Sequence, residues 1–99
     1  MISYNKIVVC ADGFEMSVQA NIYSYSIPKE ANAEKYEAVE VGFPTEVEPL
    51  LEEYAEDPSD PTGTVYGYVP VQVVTDVIVK HGGIVDGEVP PGVIAVNPL

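Results

Sequence analysis

The sequence predicts an α+β fold in which an antiparallel sheet of three to five strands packs against two helices on one face. The chain has 99 residues and is 46% hydrophobic, which is enough for one modest core, so residues 1–99 are expected to form a single domain. Segments 6–20 and 36–43 alternate apolar and polar residues, as strands do. Segments 46–56 and 71–81 carry apolar residues at helical spacing.

Residues 6–20 predict a β-hairpin centred on Asp12-Gly13, because a type I′ turn needs positive φ at both central positions. Alternation from this turn defines a core face made of Ile7, Val9, Ala11, Phe14, Met16, Val18 and Ala20. The other face comprises Lys6, Val8, Cys10, Glu15, Ser17 and Gln19.

The middle of the chain predicts less regular structure before a third strand. Residues 21–27 are expected to continue the second strand or to form a short further strand, which Pro28 ends. Segment 28–35 is polar and predicts a surface loop. Residues 36–43 predict a strand with one wet face. Its apolar face is Val39, Val41 and Phe43, and its wet face is Tyr36, Ala38, Glu40 and Gly42.

A helix is predicted over 46–56 from an apolar stripe of Val47, Leu50, Leu51, Tyr54 and Ala55. Thr45 and Glu48 have the spacing of a capping box, but Pro49 favours a start near Glu48 instead. Residues 57–63 predict a turn-rich loop. Residues 64–70 predict a strand with Tyr66 and Tyr68 on the same face.

Residues 71–81 leave two interpretations open. Their many β-branched side chains favour a strand, whereas the apolar spacing and the Lys80-His81 pair before Gly82 favour a helix, which is our prediction. The tail, residues 84–99, is expected to form an irregular C-terminal wrap or an edge strand near Val93–Val96.

The charge distribution is the most informative feature for function. The sequence has sixteen acidic residues, four lysines and no arginine, which gives a formal net charge of −12. Nine of these acids lie between Glu37 and Asp60, with no Lys or Arg among them. Such a chain disfavours direct binding to nucleic acid and to anionic membranes, and it attracts basic partners. Solubility is the competing explanation of the acidity.

Catalytic and metal-binding signatures are missing from the sequence. His81 is the only histidine and is expected to stabilise a helix C-terminus. Cys10 is the only cysteine, which excludes an internal disulfide and fits a reducing cytosol. No Walker A, GxGxxG, CxxC or HExxH motif occurs, and no signal peptide or membrane segment is evident. We therefore expect no enzymatic activity, no cofactor and no metal.

Four stretches resemble small acidic proteins of uncharacterised function encoded by phages and prophages. These are ADGFEMSVQA (11–20), YEAVEVGFP (36–44), LLEEYAEDPSDPTGTVYGYVP (50–70) and VIVKHGG (77–83). The resemblance implies a protein made in the cytoplasm of a bacterial host. Some such proteins, including anti-CRISPR and other anti-defence proteins, inhibit a host nucleic-acid-binding complex by placing carboxylates where phosphates would lie.

We accordingly expect a non-enzymatic, anti-CRISPR-type inhibitor that mimics nucleic acid and binds a basic host protein or complex. The predicted partner-binding residues are Glu46, Glu48, Glu52, Glu53, Glu56, Asp57 and Asp60, with Tyr54 and Tyr66 as anchors. The alternative is a structural or assembly module, a homodimer paired through strands near 22–27 and 64–69, whose acidity serves solubility. A small metal-dependent enzyme that uses the carboxylates is a third and weaker alternative.

Overall fold

The computed structural model describes residues 4–98, so the ends of the predicted domain, residues 1–3 and 99, lie outside the described part. Five strands, one α-helix and one 3₁₀ helix make up the regular structure of residues 4–98. The strands are β1 (Val8–Cys10), β2 (Glu15–Gln19), β3 (Ala38–Gly42), β4 (Val65–Pro70) and β5 (Ile84–Asp86). The α-helix, α1, spans Val71–Lys80, and the 3₁₀ helix spans Pro49–Tyr54.

The strands form one antiparallel sheet in the order β4-β3-β2-β1-β5. The predicted α+β class and antiparallel sheet are therefore confirmed. The second predicted helix is a short 3₁₀ helix instead of an α-helix, so packing of two α-helices on the sheet is not observed among residues 4–98. No helix in this part of the chain is both long enough and apolar enough to cross a membrane.

The β1–β2 hairpin exists, but the predicted register is wrong by one residue. Val8 pairs with Met16, and Cys10 bonds Phe14 across a three-residue loop in which Gly13 has a φ of 92°. Such a loop needs positive φ at Gly13 alone, whereas the predicted two-residue turn also needs it at Asp12. A register shift of one residue moves every side chain of β1 to the opposite face of the sheet. Its core residues are therefore Val8 and Cys10, and Ile7 and Val9 leave the core face.

Residues 21–27, predicted as strand, form turns with a single bridge from Ile27 to Ala38. Ala38 and Gly42, which the sequence predicted on a wet face of β3, are buried: Ala38 bridges Ile27 of this segment, and Gly42 lies beside Ser17 and Val65 of the neighbouring strands. Tyr25 packs against Gly67, where a Cβ would come within 3.3 Å of the Tyr25 Cβ. β3 itself is confirmed as a strand, but it ends at Gly42, which leaves Phe43 exposed with a φ of 50°.

The strand β4 is confirmed, but its two tyrosines do not share a face. Val41 pairs with Tyr66 and Val39 with Val69, so β4 carries one extra residue in a bulge. Tyr68 lies in this bulge with a φ of 52°, and its side chain is exposed while that of Tyr66 is buried.

The 3₁₀ helix begins at Pro49, close to the start that this proline predicts, and Glu48 is its N-cap. The predicted apolar stripe is not buried as a unit. Leu51 is fully buried and Tyr54 half-buried, which fits a period of three, whereas Val47 and Leu50 are exposed. The helix stops at Tyr54 because Ala55 forms a β-bridge to Tyr66.

The predicted helix over 71–81 is confirmed as α1, and its C-cap is His81. The helix ends because Gly82 and Gly83 both take positive φ. The edge strand of the tail lies at Ile84–Asp86; residues 93–96 contain no strand and contact Ile84 through one backbone hydrogen bond. Apolar side chains of all five strands, α1 and Leu51 form one core cluster.

Candidate functional site: an acidic loop and a buried histidine centre

The first candidate surface is the segment Glu52–Asp60, which we call the acidic loop. Glu56 donates its backbone N–H to Val65, which ties the segment to β4 before it turns towards Gly63. Five of its side chains carry carboxylates, and all five are exposed: Glu52, Glu53, Glu56, Asp57 and Asp60. Within residues 4–98, none of the five forms an ion pair with a Lys or His.

A surface pocket of about 270 Å³ lies beside the acidic loop. Its lining is mostly apolar and comprises Val47, Ala55, Pro58, Pro61, Tyr66 and one acid, Glu52. Burial raises the pKa of the Tyr66 phenol, and the negative charges of Glu52 and Asp60 raise it further. Glu52 therefore lines the pocket, and Asp60 is near enough to act on the Tyr66 phenol within it.

Two aspartates of the acidic loop also have structural contacts. The Asp57 carboxylate accepts hydrogen bonds from the backbone N–H and the hydroxyl of Ser59, which lower its pKa. The Asp60 carboxylate lies over Gly63 and occupies the place that a Cβ on this residue would need. Asp57 and Asp60 thus have contacts within the loop, whereas the side chains of Glu52, Glu53 and Glu56 are exposed and, among these three, Glu53 lies against the Tyr54 hydroxyl.

The structure corrects the predicted partner-binding set at two positions. Glu48 is only 1% exposed, so its carboxylate cannot act as a surface phosphate mimic. Tyr66 is equally buried, and its hydroxyl donates to the carbonyl of Pro61, so it lines the pocket floor and is not a protruding anchor. Tyr54 is half-buried. Burial is the main cause that raises the pKa of its phenol, and the negative charge of Glu53 raises it further.

Glu46 is exposed but faces a different part of the molecule. Its Oε1 lies 3.8 Å from Nδ1 of His81, a residue that the sequence analysis assigned to the end of a helix. His81 does cap α1 through its backbone, which donates to the carbonyl of Val77. Its imidazole, however, is buried and belongs to a second candidate site.

This histidine centre comprises His81 and the charged groups around it: Asp12, Glu46, Glu48 and Lys80. The imidazole stacks on the ring of Phe14, with 4.0 Å between centroids and 12° between planes. Its Nδ1 lies 2.6 Å from Oδ2 of Asp12, and its Nε2 lies 2.7 Å from Oε1 of Glu48. The hairpin loop, the start of the 3₁₀ helix and the end of α1 thus meet at one ring.

Glu48 is held in place from two further directions. Its Oε2 accepts hydrogen bonds from the backbone N–H of Leu50 at 2.9 Å and from the Lys80 ammonium at 2.9 Å. Burial alone would raise the pKa of Glu48, but these donors and His81 outweigh it and lower the pKa. The buried carboxylate is therefore ionised and fully hydrogen-bonded.

Two members of the histidine centre, His81 and Asp12, and the neighbouring Cys10 also have shifted pKa values. Burial opposes a charge on His81, yet hydrogen bonds to Asp12 and Glu48 and their negative charges raise its pKa above 6.5. The hydrogen bond from the Phe14 N–H is the main cause that lowers the pKa of Asp12, and the hydrogen bond to His81 lowers it further. Burial and then Asp12 raise the pKa of the Cys10 thiol to about 11, so Cys10 is a packed side chain and a poor nucleophile.

The homodimer alternative depended on two exposed strands. Residues 22–27 are not a strand, and Ala55 and Glu56 bond to β4 at Tyr66 and Val65. The edge available for pairing with a second copy near 64–69 is thus shorter than the sequence suggested. The exposed aromatic pair there, Tyr25 and Tyr68, packs with ring centroids 5.8 Å apart.

Comparisons of the chain with known protein families, with curated proteins and with solved structures found no match. Any functional conclusion therefore depends on the sites themselves. Sequence reasoning selected the acidic loop from its charge run but missed the histidine centre. Asp12 and Glu48 are 69 and 33 residues from His81, so no local motif joins them.

Proposed function

We propose that this protein is a non-enzymatic, acidic binding module that occupies a basic, nucleic-acid-binding surface of a partner protein. The partner's natural ligand would be a polyanion, and the acidic loop would take the place of successive phosphates. In the context that the resemblance implies, this is an inhibitor of anti-CRISPR type acting in the cytoplasm of a bacterial host. No chemical step is involved, because the module acts by occlusion.

The observation that carries the proposal is the absence of counter-charge within the acidic loop. Five exposed carboxylates follow one another between Glu52 and Asp60, and no Lys or His of residues 4–98 forms an ion pair with them. Like charges so close together repel each other, so stability of the fold does not explain this density. A basic partner would relieve the repulsion on binding.

The adjoining pocket supports the same kind of partner. An arginine or lysine carries an apolar stem and a charged end, and it buries the stem where the end can reach a carboxylate. The apolar lining from Val47, Pro58 and Pro61 suits the stem. Glu52 and Asp60 beside Tyr66 suit the charged end. The pocket and the loop therefore favour a partner rich in Arg or Lys.

The decisive experiment compares two triple variants with the same net charge. Glu52→Lys, Glu53→Lys and Glu56→Lys together reverse the charge of the acidic loop's three exposed glutamates. Glu30→Lys, Glu34→Lys and Glu37→Lys together make the same charge change at exposed positions elsewhere. Each variant and the wild type would be immobilised and exposed to nuclease-treated bacterial lysate, and a protein captured by the wild type would then be purified for binding measurements.

We expect the acidic-loop triple to weaken binding about 100-fold or more, and the matched triple to weaken it much less. Affinity should fall steeply with salt, and nucleic acid should compete with the protein for the partner. Equal losses in both triples would show that only net charge matters. A captured partner that binds nucleic acid and this protein simultaneously would exclude mimicry.

A further inference from the structure

We propose that the histidine centre is a binding site for a divalent first-row transition metal ion such as Zn²⁺, with His81 Nδ1, Asp12 and Glu46 as its ligands. These three side chains can each place one ligand atom so that all three atoms lie within 4.8 Å of one another. The set combines one imidazole nitrogen with two carboxylate oxygens. Zinc and its neighbours accept such a set, whereas Mg²⁺ and Ca²⁺ prefer oxygen alone.

The orientation of His81 is the strongest argument. A histidine that binds metal through one nitrogen commonly donates its other N–H to a carboxylate, which fixes the tautomer. Here Nε2 lies 2.7 Å from the buried carboxylate of Glu48, which Lys80 and the Leu50 N–H hold in turn. Without metal, the 2.6 Å contact between Nδ1 and Asp12 Oδ2 is a hydrogen bond that needs a proton on Nδ1. A metal ion would displace this proton to solvent, and the imidazole, with its remaining proton on Nε2, would then present the lone pair of Nδ1 to the ion. Glu48 acts as a positioning residue.

The two carboxylates are placed to close around an ion in front of Nδ1. Asp12 uses its Oδ1 to accept the Phe14 N–H, which leaves Oδ2 directed at the ring. Ligand atoms around a tetrahedral zinc ion are roughly 3.4 Å apart, so Asp12 would withdraw by about 1 Å and Glu46 would approach slightly. Both can do so, because their side chains are 48% and 62% exposed.

The charge balance points to a cation at the same place. Three carboxylates surround the ring, and Lys80 neutralises one of them. Once the ion has displaced the Nδ1 proton, His81 is neutral and the group carries two further negative charges, which one divalent ion balances. Among residues 4–98, three ligands converge on the ion, so at least one coordination position would be left for water or another ligand.

The test measures binding of ZnCl₂ to the full chain after removal of metal with EDTA. Isothermal titration calorimetry gives the affinity, and the ¹⁵N chemical shifts of the imidazole report the ligand atom. Because His81 is the only histidine, its two nitrogens are unambiguous. The variants are Glu46→Gln and Asp12→Asn. The matched control is the double variant Glu53→Gln and Glu56→Gln, which removes two exposed acids from the acidic loop.

We expect one Zn²⁺ per chain, with a change at Nδ1 and a proton retained on Nε2. Glu46→Gln and Asp12→Asn should each weaken binding about 10-fold or more, and the control should bind as the wild type does. Mg²⁺ and Ca²⁺ should leave the imidazole shifts unchanged. The proposal is wrong if Zn²⁺ leaves Nδ1 unchanged, if Glu46→Gln binds as tightly as the wild type, or if only the acidic-loop control loses binding.

Discussion

His81 and Glu48 are joined by a contact of 2.7 Å between Nε2 and Oε1, and both side chains are buried. The contact connects the end of α1 to the start of the 3₁₀ helix. Because Lys80 and the Leu50 N–H also bond Glu48, one carboxylate satisfies three donors from two helices. A buried charge with this many partners stabilises its surroundings only while every partner remains.

The first prediction concerns Glu48→Gln. The amide keeps the size of the side chain but removes the negative charge that faces both Lys80 and His81. Breaking a buried ion pair by removing one partner costs about 3 kcal/mol, so the free energy of unfolding should fall by that amount. Urea unfolding measures it. Glu53→Gln, an exposed control, should change stability by less than about 0.5 kcal/mol, and an equal effect of the two would contradict the role of Glu48.

The second prediction concerns pH and applies to protein freed of metal by EDTA. The pKa of His81 is raised in the folded state, so its contribution to stability is complete below about pH 6.5 and is lost as pH rises through the folded pKa. The pKa values of Asp12 and Glu48 are lowered, so their contribution is complete above about pH 4.5 and is lost as pH falls through the folded values. Glu46 also faces the ring.

Unfolding by urea should therefore require the highest denaturant concentration between these limits, at about pH 5 to 6.5. An NMR titration of the single imidazole gives the folded pKa directly. Asp12→Asn should lower that pKa and flatten the alkaline side of the stability profile. A wild-type imidazole that titrates below 6.5 would contradict the prediction.

The third prediction concerns Cys10, which is buried and has a pKa raised from 9.0 to about 11. At pH 8 the thiolate fraction is then about 100-fold below that of an ordinary thiol, and burial slows access further. Reaction with a disulfide reagent such as DTNB should be at least that much slower in the native protein than in guanidinium chloride. Rapid reaction of the folded protein would contradict the placement of Cys10 in the core.

The sequence predicted which segments form strands and helices better than it predicted their registers. An Asp-Gly pair locates a turn, but the same two residues fit a two-residue or a three-residue loop, and the choice decides whether Val8 or Val9 enters the core. Likewise, the alternation of Tyr66 and Tyr68 carries no sign of the bulge that separates them. Both errors come from pairing between strands, which one strand's pattern does not encode.

The acidic loop and the histidine centre likewise differ in how far the sequence predicts them. Consecutive residues form the acidic loop, so a charge run was enough to locate it. The histidine centre combines a turn, a helix N-cap and a helix C-cap, each of which has an ordinary local explanation. Only the tertiary fold brings Asp12, Glu48 and His81 together. A buried glutamate beside a proline-initiated 3₁₀ helix also has no sequence signature, and so the sequence predicts Glu48 at the surface although it is buried.

The fourth prediction concerns Gly13→Ala. Gly13 has a φ of 92°, and no atom lies within 4 Å of the place that an alanine Cβ would occupy, so the substitution tests backbone conformation without a clash. A side chain at positive φ costs about 1 kcal/mol, and the free energy of unfolding should fall by that amount. Gly13→Asn should cost less, because asparagine tolerates this region. If alanine and asparagine cost the same, positive φ is not the reason for glycine here.

The fifth prediction concerns salt and the acidic loop in the absence of any partner. The wild type has a net charge of −12, and its five exposed loop carboxylates repel one another, so added NaCl should raise its free energy of unfolding. The acidic-loop triple of Glu52, Glu53 and Glu56 to Lys brings the formal charge to −6. Because self-repulsion scales with the square of the charge, it falls to about a quarter. The triple should therefore be at least as stable as the wild type at low salt and less sensitive to salt.

The matched triple at Glu30, Glu34 and Glu37 separates the loop from the net charge. It has the same net charge as the acidic-loop triple but leaves the loop intact, so it should retain more of the salt dependence. Urea unfolding of the three proteins between about 20 mM and 1 M NaCl, concentrations that span Debye lengths from about 20 Å to 3 Å, makes the comparison. If the acidic-loop triple unfolds more easily than the wild type at low salt, the acidic loop stabilises the fold. Its charge density is then explained without a binding partner, which would contradict the proposed function.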